Sequence, residues 1–218
     1  MDITFQKHRT DADGSLCDQL WEETKDLREQ ALNTIWIQGI ALGILDPLDF
    51  GRLLAQDTIY LANHAAYADI AKCKYTGDIR VYLEAHEKSI ASEQEKTTSQ
   101  LKDWHIAFEG GIEMSSAAQL YLKFQKHVAM TMNPLYFIVA MLPCCRLWPW
   151  LANEIKDKSP VCNNNVYQFW IEEHIGLTFW QKMQAVVDKH ADEINVSEAR
   201  KIYRTCMQGE VNFFRSAA

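Results

Sequence analysis

Three short runs of this 218-residue sequence carry side chains able to do covalent or proton-transfer chemistry. The run Leu142-Pro143-Cys144-Cys145-Arg146-Leu147-Trp148 puts a thiol and an indole one helical turn apart in an apolar stretch. A thiol against an aromatic wall is a candidate nucleophile, although a free cysteine in such company more often fills the core and stays inert. The run Gly209-Glu210-Val211-Asn212-Phe213-Phe214 sets one carboxylate beside two aromatic rings near the C-terminus. Apolar burial would raise the pKa of Glu210 and let it act as an acid; the bland alternative is a surface glutamate in a last helical turn. In Gln56-Asp57-Thr58-Ile59-Tyr60, with His64 four residues further on, Asp57, Tyr60 and His64 share one helical face, where the carboxylate could grip an amidine edge. Aspartates on helices are usually solvated, and spacing alone favours that plainer role.

Other residues add weaker signals. Tyr121 and Phe124, then Phe169, Trp170, His174 and Phe179, form two aromatic stripes that either line a pocket or fill the core, the core being the commoner use. Glu84, His86, Glu93, Glu172, Glu173 and His174 raise the question of a metal-binding helical bundle. The Glu-x-x-His pairing such a centre needs is missing at those glutamates, since Glu87 follows Glu84 and Ile175 follows Glu172 at that spacing. Solvated helix faces explain these side chains apart from His174, whose place this pattern leaves open, and no metal or cofactor is expected. Phosphate-cradling glycine loops and a Gly-x-Ser-x-Gly elbow are also missing.

The elements that would position these residues read as helices. Leu16, Leu20, Leu27, Ala31, Ile35 and Ile37 recur every three or four residues, predicting an amphipathic helix, or two joined by a kink, that ends between Gly39 and Asp46. Asp46-Pro47 starts a second helix carrying Asp57, Tyr60 and His64. A third, Ile79 to about Leu101, is so rich in Glu, Lys, Ser and Gln after Ala91 that it reads as a solvated outer wall. Ser115 or Ser116 caps a fourth helix through Val128, and Asn133-Pro134 a fifth reaching Ile155. Asn163 to Asn165 cap a sixth, and Ser197-Glu198 opens the last. No stretch combines period-two alternation with hairpin chemistry, so the expected class is all-α, a single-domain helical bundle over 15–218 behind an N-terminal tail of 1–14.

Composition agrees with that class. Hydrophobic residues make up 48% and charged residues 23%, with 9 Gly and 5 Pro, as ordered helical chains have. A net charge of −7 argues against a sequence-independent grip on nucleic acid or anionic lipid, which needs clustered Lys and Arg. Met1 to Ser15 holds five charged residues and no apolar run, so no signal peptide is expected, and Leu135–Leu142 is too short to span a membrane. Six cysteines without a CxxC pair fit reduced thiols in the cytosol.

Taken in order, these motifs resemble the TenA (thiaminase II-like) family, whose members have the haem oxygenase-like helical fold. The resemblance runs from Trp36-Ile37-Gln38-Gly39-Ile40 and Gly43-Ile44-Leu45-Asp46-Pro47 to Phe50, through Leu54-Ala55-Gln56-Asp57 and Tyr60-Leu61, to Leu142-Pro143-Cys144, and closes on Glu210 with Phe213-Phe214. It implies that Cys144 is a nucleophile, that Glu210 manages protons, and that Asp57, Tyr60 and Tyr121, with Phe213, bind a pyrimidine. It further implies an aminopyrimidine aminohydrolase or thiaminase II of thiamin salvage, cytoplasmic and homo-oligomeric, commonly tetrameric.

The sequence departs from the family pattern at three places. Trp148 and His174 stand where many members have tyrosines, and 93–99 lacks a pocket histidine that the third helix often supplies. Both residues are still expected to touch the ligand. The departures favour, as the alternative, a repurposed non-catalytic protein of the same fold that binds a different small heterocycle.

Overall fold

A computed structural model of the protein describes residues 14–105, 113–158 and 165–218. The expected tail before Gly14, Cys162 and the expected caps Asn163 and Asn164 lie outside the described residues.

The amphipathic stretch near the N-terminus is three helices rather than one or two: α1 (Leu16–Glu22), α2 (Lys25–Leu32) and α3 (Ile35–Leu42). Polar side chains make the breaks. Thr24 donates its hydroxyl to the carbonyls of Leu20 and Trp21, competing with helix continuation, while Thr34 caps α3 by accepting from the amide of Ile37. Gly43, at φ 69°, ends α3 in the left-handed conformation that a side chain would resist.

Asp46 accepts from the amide of Leu48 and Pro47 fills the first turn of α4 (Pro47–Lys72), as expected. α4 runs along α5 (Gly77–Asp103), and α6 (Ser116–Thr131), capped by Ser115, packs on α4. The segment after 165 forms two helices, α8 (Gln168–His174) and α9 (Phe179–Lys189), separated by a turn in which Gly176 has φ 83°. After a 3-10 turn at Ala191–Glu193, α10 (Val196–Arg215) completes the bundle. Its cap is Asn195, whose side chain accepts from the amide of Glu198, rather than the expected Ser197. Among the described residues there is no strand, and the protein is all-α.

The central element is α7 (Pro134–Ile155), which touches α10, α9, α8 and α6. By length and composition it could cross a membrane, but 78% of its most apolar window is buried against the other helices, which makes it the core helix. Pro143 and Pro149 both lie inside it. Neither can donate to the carbonyl four residues back, so those of Val139 and Cys145 receive no helical amide from them. Cys144 and Trp148 thus occupy a loosened stretch between two prolines. Packing around Trp36 ties α3 to α4, α8 and α10: Trp36 stacks on Phe50 at 5.9 Å and meets Trp170 at 5.4 Å and Phe214 at 5.6 Å.

Candidate active site

Cys144 and Trp148 from α7, Asp57 and Tyr60 from α4, Tyr121 from α6, and Glu210 and Phe213 from α10 meet around one narrow crevice. The crevice shares Asp57, Cys144 and Trp148 with a larger hollow of about 210 Å³, and His174 lines that hollow beside Trp148. All eight site residues read from the sequence, brought from positions 57 to 213, therefore line two adjoining spaces.

Glu210 is 2% exposed and receives three hydrogen bonds. Trp148 donates through Nε1 to Oε2 at 2.9 Å, and the Tyr121 hydroxyl and Cys144 thiol also donate. Burial pushes the Glu210 carboxyl up to about 7, and these three donors keep it from rising further. It is poised to hold or release a proton near neutrality.

The Cys144 thiol is held well above the ordinary thiol range by its hydrogen bond with Cys145, by burial and by the carboxyls of Glu210 and Asp57. It therefore rests protonated, and a thiolate forms there only by handing the proton to a neighbouring base. Glu210 and Asp57 are the carboxyls beside it.

Asp57 borders the hollow and is otherwise enclosed by protein. Burial and the charges of Glu210 and Glu93 push its carboxyl up to about 8, opposed by a hydrogen bond from Thr97. Near neutral pH such a group is able both to donate and to accept. The preceding Gln56 serves the scaffold instead, accepting from the amide of Ser115 at 2.9 Å.

Tyr60 and Tyr121 approach through their hydroxyls at 3.5 Å, and buried Gln125 donates to Tyr60 at 3.0 Å. Burial holds both phenols well above their usual range, so they remain neutral donors. His64 backs the site rather than lining it: its ring packs edge-on against Tyr60 and Phe137, and burial pushes it down to about 3. Of the aromatic stripes, Tyr121, Trp170, His174 and Phe179 line the two spaces, whereas Phe124 and Phe169 pack against the core.

The outer wall read from α5 is partly solvated, as expected, and also faces inward. Glu93, Lys96, Thr97 and Gln100 face the hollow, so this polar stretch is one side of the site. Among the described residues, no group of three or more His, Cys, Asp or Glu is placed to hold a metal ion.

Fold and site together define an all-helical bundle enclosing a thiol and a carboxylic acid in hydrogen-bond contact. Solved structures similar to this fold include TenA homologues. That from Pyrococcus furiosus matches with a TM-score of 0.83 at 15% identity, over 93% of this chain and 100% of the other. A tena-like thiaminase from Sulfolobus solfataricus matches at 0.70 and 18%, over 92% and 95%. The sequence resemblance to TenA is borne out at the level of fold.

No family model matches the sequence. Among curated proteins, an uncharacterized protein of Haemophilus influenzae is 23% identical over 92% of this chain and 97% of its own length. The mitochondrial bifunctional TH2 protein of Arabidopsis thaliana is 26% identical over 81% of this chain, and the match covers 33% of that protein. A hydroxymethylpyrimidine/phosphomethylpyrimidine kinase of Saccharomyces cerevisiae is 22% identical over 66% of this chain and 27% of its own. The chain thus spans about a third or less of the plant and yeast relatives.

Proposed function

We propose that this protein hydrolyses an aminopyrimidine carrying a leaving group on its exocyclic methylene, as a TenA-family aminopyrimidine aminohydrolase or thiaminase II. The observation that carries the reading is the contact of Cys144 with Glu210, beside Asp57, at the inner end of the hollow. The fold of a tena-like thiaminase and the pyrimidine named for the yeast relative support it.

In this reading Asp57 donates to a ring nitrogen and accepts from the 4-amino group, drawing electron density from the ring. Glu210 takes the Cys144 proton, and the thiolate adds to a ring carbon. Glu210 returns that proton to the departing nitrogen as its bond to the methylene breaks. Water then adds to the methylene and its spare proton passes to Glu210; the carbon–sulfur bond breaks, and Glu210 returns that proton to the released thiolate, restoring both groups. The net change is amine and water to alcohol and ammonia. Tyr60, Tyr121, Trp148 and Phe213 hold the ring and exclude bulk water.

Homo-oligomerisation and a cytosolic setting belong to the same reading. Ile35, Ile44 and Leu48 stay exposed around α3 and the start of α4 and offer a surface for self-association, which light scattering would detect.

The test is ammonia release from 4-amino-5-aminomethyl-2-methylpyrimidine, with thiamin as comparison, by the protein and by Cys144→Ser. Turnover lost in the serine variant is the expected result. No turnover of either compound by the unaltered protein would overturn the reading in favour of a non-catalytic heterocycle-binding protein.

A further inference from the structure

The hollow is larger than a single heterocycle needs. A dry cavity of about 150 Å³ accommodates benzene, whereas this one is about 210 Å³ and continues into the crevice where Asp57, Cys144 and Glu210 meet. With the ring at that inner end, the outer end is left for whatever the ring carries.

Two groups that line the hollow away from the crevice, His174 and Glu173, share an acceptor character. His174 shares its Nδ1 with the carbonyl of Trp170 at 2.7 Å. A carbonyl can only accept, so Nδ1 bears the hydrogen and Nε2 of the neutral ring is left an acceptor. Burial pushes His174 down to about 4, which keeps the ring neutral. Its ring stacks on Trp170 at 4.3 Å and cannot swing freely. Glu173 lines the same end and accepts from Gln100 at 2.6 Å. The one cation there, among the described residues lining the hollow, is Lys96, and it is bound to Glu93 at 2.8 Å. With Lys96 balanced by Glu93, Glu173 leaves this end negative.

We propose that the outer end of the hollow is a leaving-group subsite, in which His174 Nε2 and Glu173 receive a substituent that presents hydrogen-bond donors or a positive charge, and which turns away phosphorylated substituents. This rests on the reading of the inner end as a pyrimidine site. It gives His174 a specificity-determining role, and it gives the polar face of α5 a task beyond solvation. A phosphate placed there would meet two carboxylates and a lone pair with no free cation to offset them.

Calorimetry on the full chain carrying Cys144→Ser, so that no ligand is turned over, tests the subsite with three compounds that share the 4-amino-2-methylpyrimidine ring: the 5-hydroxymethyl compound, its phosphate ester, and a 5-(alkylaminomethyl) compound. The amine is expected to bind at least tenfold more tightly than the ester. His174→Phe should lower the ratio of amine to hydroxymethyl affinity about fivefold. Glu173→Lys, at an exposed position, should narrow or invert the amine-to-ester ratio. Binding of the hydroxymethyl compound with no preference between amine and ester, or with ratios unmoved in both variants, overturns the subsite alone. Failure of all three ligands to bind overturns the pyrimidine reading and the subsite with it.

Discussion

The indole of Trp148 on α7 donates to the carboxyl of Glu210 on α10 at 2.9 Å, in a pocket that water barely reaches. A tryptophan N–H can donate and nothing else, so this contact always favours the charged carboxylate. It thereby helps to set where Glu210 gives up its proton. Trp148→Phe keeps most of the ring and removes the donor. The Glu210 carboxyl should then rise above about 7, and the acid limb of the pH–rate profile should move to higher pH. Activity should fall about tenfold near pH 6.5 and less near pH 8.5. An unmoved acid limb would show that this bond does not tune Glu210.

Glu210→Gln separates catalysis from stability. Hydrolysis should fall by about 10²–10⁴, the usual worth of a positioned acid or base. Stability should change in the other direction. The folded carboxyl titrates near 7 against an ordinary 4.5, so its protonated form favours folding fully below about 4.5, and this contribution is lost as pH rises through 7. Asp57, raised from 3.8 to about 8, adds to the same trend. Gln cannot ionise and still accepts from Trp148. Above pH 8 the variant should therefore be more stable than the unaltered protein by roughly 2–3 kcal/mol, and near pH 4 about equal to it. Denaturant unfolding at the two pH values checks the sign.

How much of this was legible beforehand follows from which physical rule governs each residue. Helix starts set by local chemistry were plain: Asp46-Pro47, Ser115 and Asn133-Pro134 all open the helices they announce. The break at Thr24 was not, because a threonine that bonds back to its own helix looks in sequence like any other polar position. At the site, Asp57, Cys144 and Glu210 were weak signals singly and strong only in order. That Glu210 meets both Cys144 and Trp148 depends on how α7 and α10 pack, and residues about 62 positions apart leave no local trace of it. Gln125 stands one turn after Tyr121 and was findable from that spacing. That the polar stretch Glu93–Gln100 also lines the hollow was not legible, because a face turned to a polar cavity and a face turned to solvent have the same composition.

Cys144 should be slow to alkylate despite its place on an open hollow. Its thiol is held protonated well above the usual range, whereas Cys73 is exposed on the surface. Iodoacetamide near pH 7.5 followed by peptide mass spectrometry should find Cys73 modified ahead of Cys144. Cys144 labelling should rise with pH and be suppressed by a pyrimidine ligand. Labelling of Cys144 ahead of Cys73 would mean that the thiol is already ionised and needs no help from Glu210.

The approach of Tyr121 to Glu210 depends on Gly209. A Cβ at this position would lie 2.6 Å from Cδ2 and 2.7 Å from Cγ of the Tyr121 ring, well inside contact distance. In Gly209→Ala the ring must move, and with it the hydroxyl that meets Glu210 and Tyr60. Overpacking of this kind costs about 1–3 kcal/mol, against which alanine's better helix propensity returns up to about 1 kcal/mol. Unfolding should therefore show a net loss, and hydrolysis should fall about tenfold as Glu210 loses a donor. A double-mutant cycle isolates the cause. With Tyr121 already replaced by Ala, the clash is gone and Gly209→Ala should become neutral or stabilising by up to about 1 kcal/mol. Equal destabilisation in both backgrounds would place the strain in α10 itself, and the glycine would then have no part in seating Tyr121.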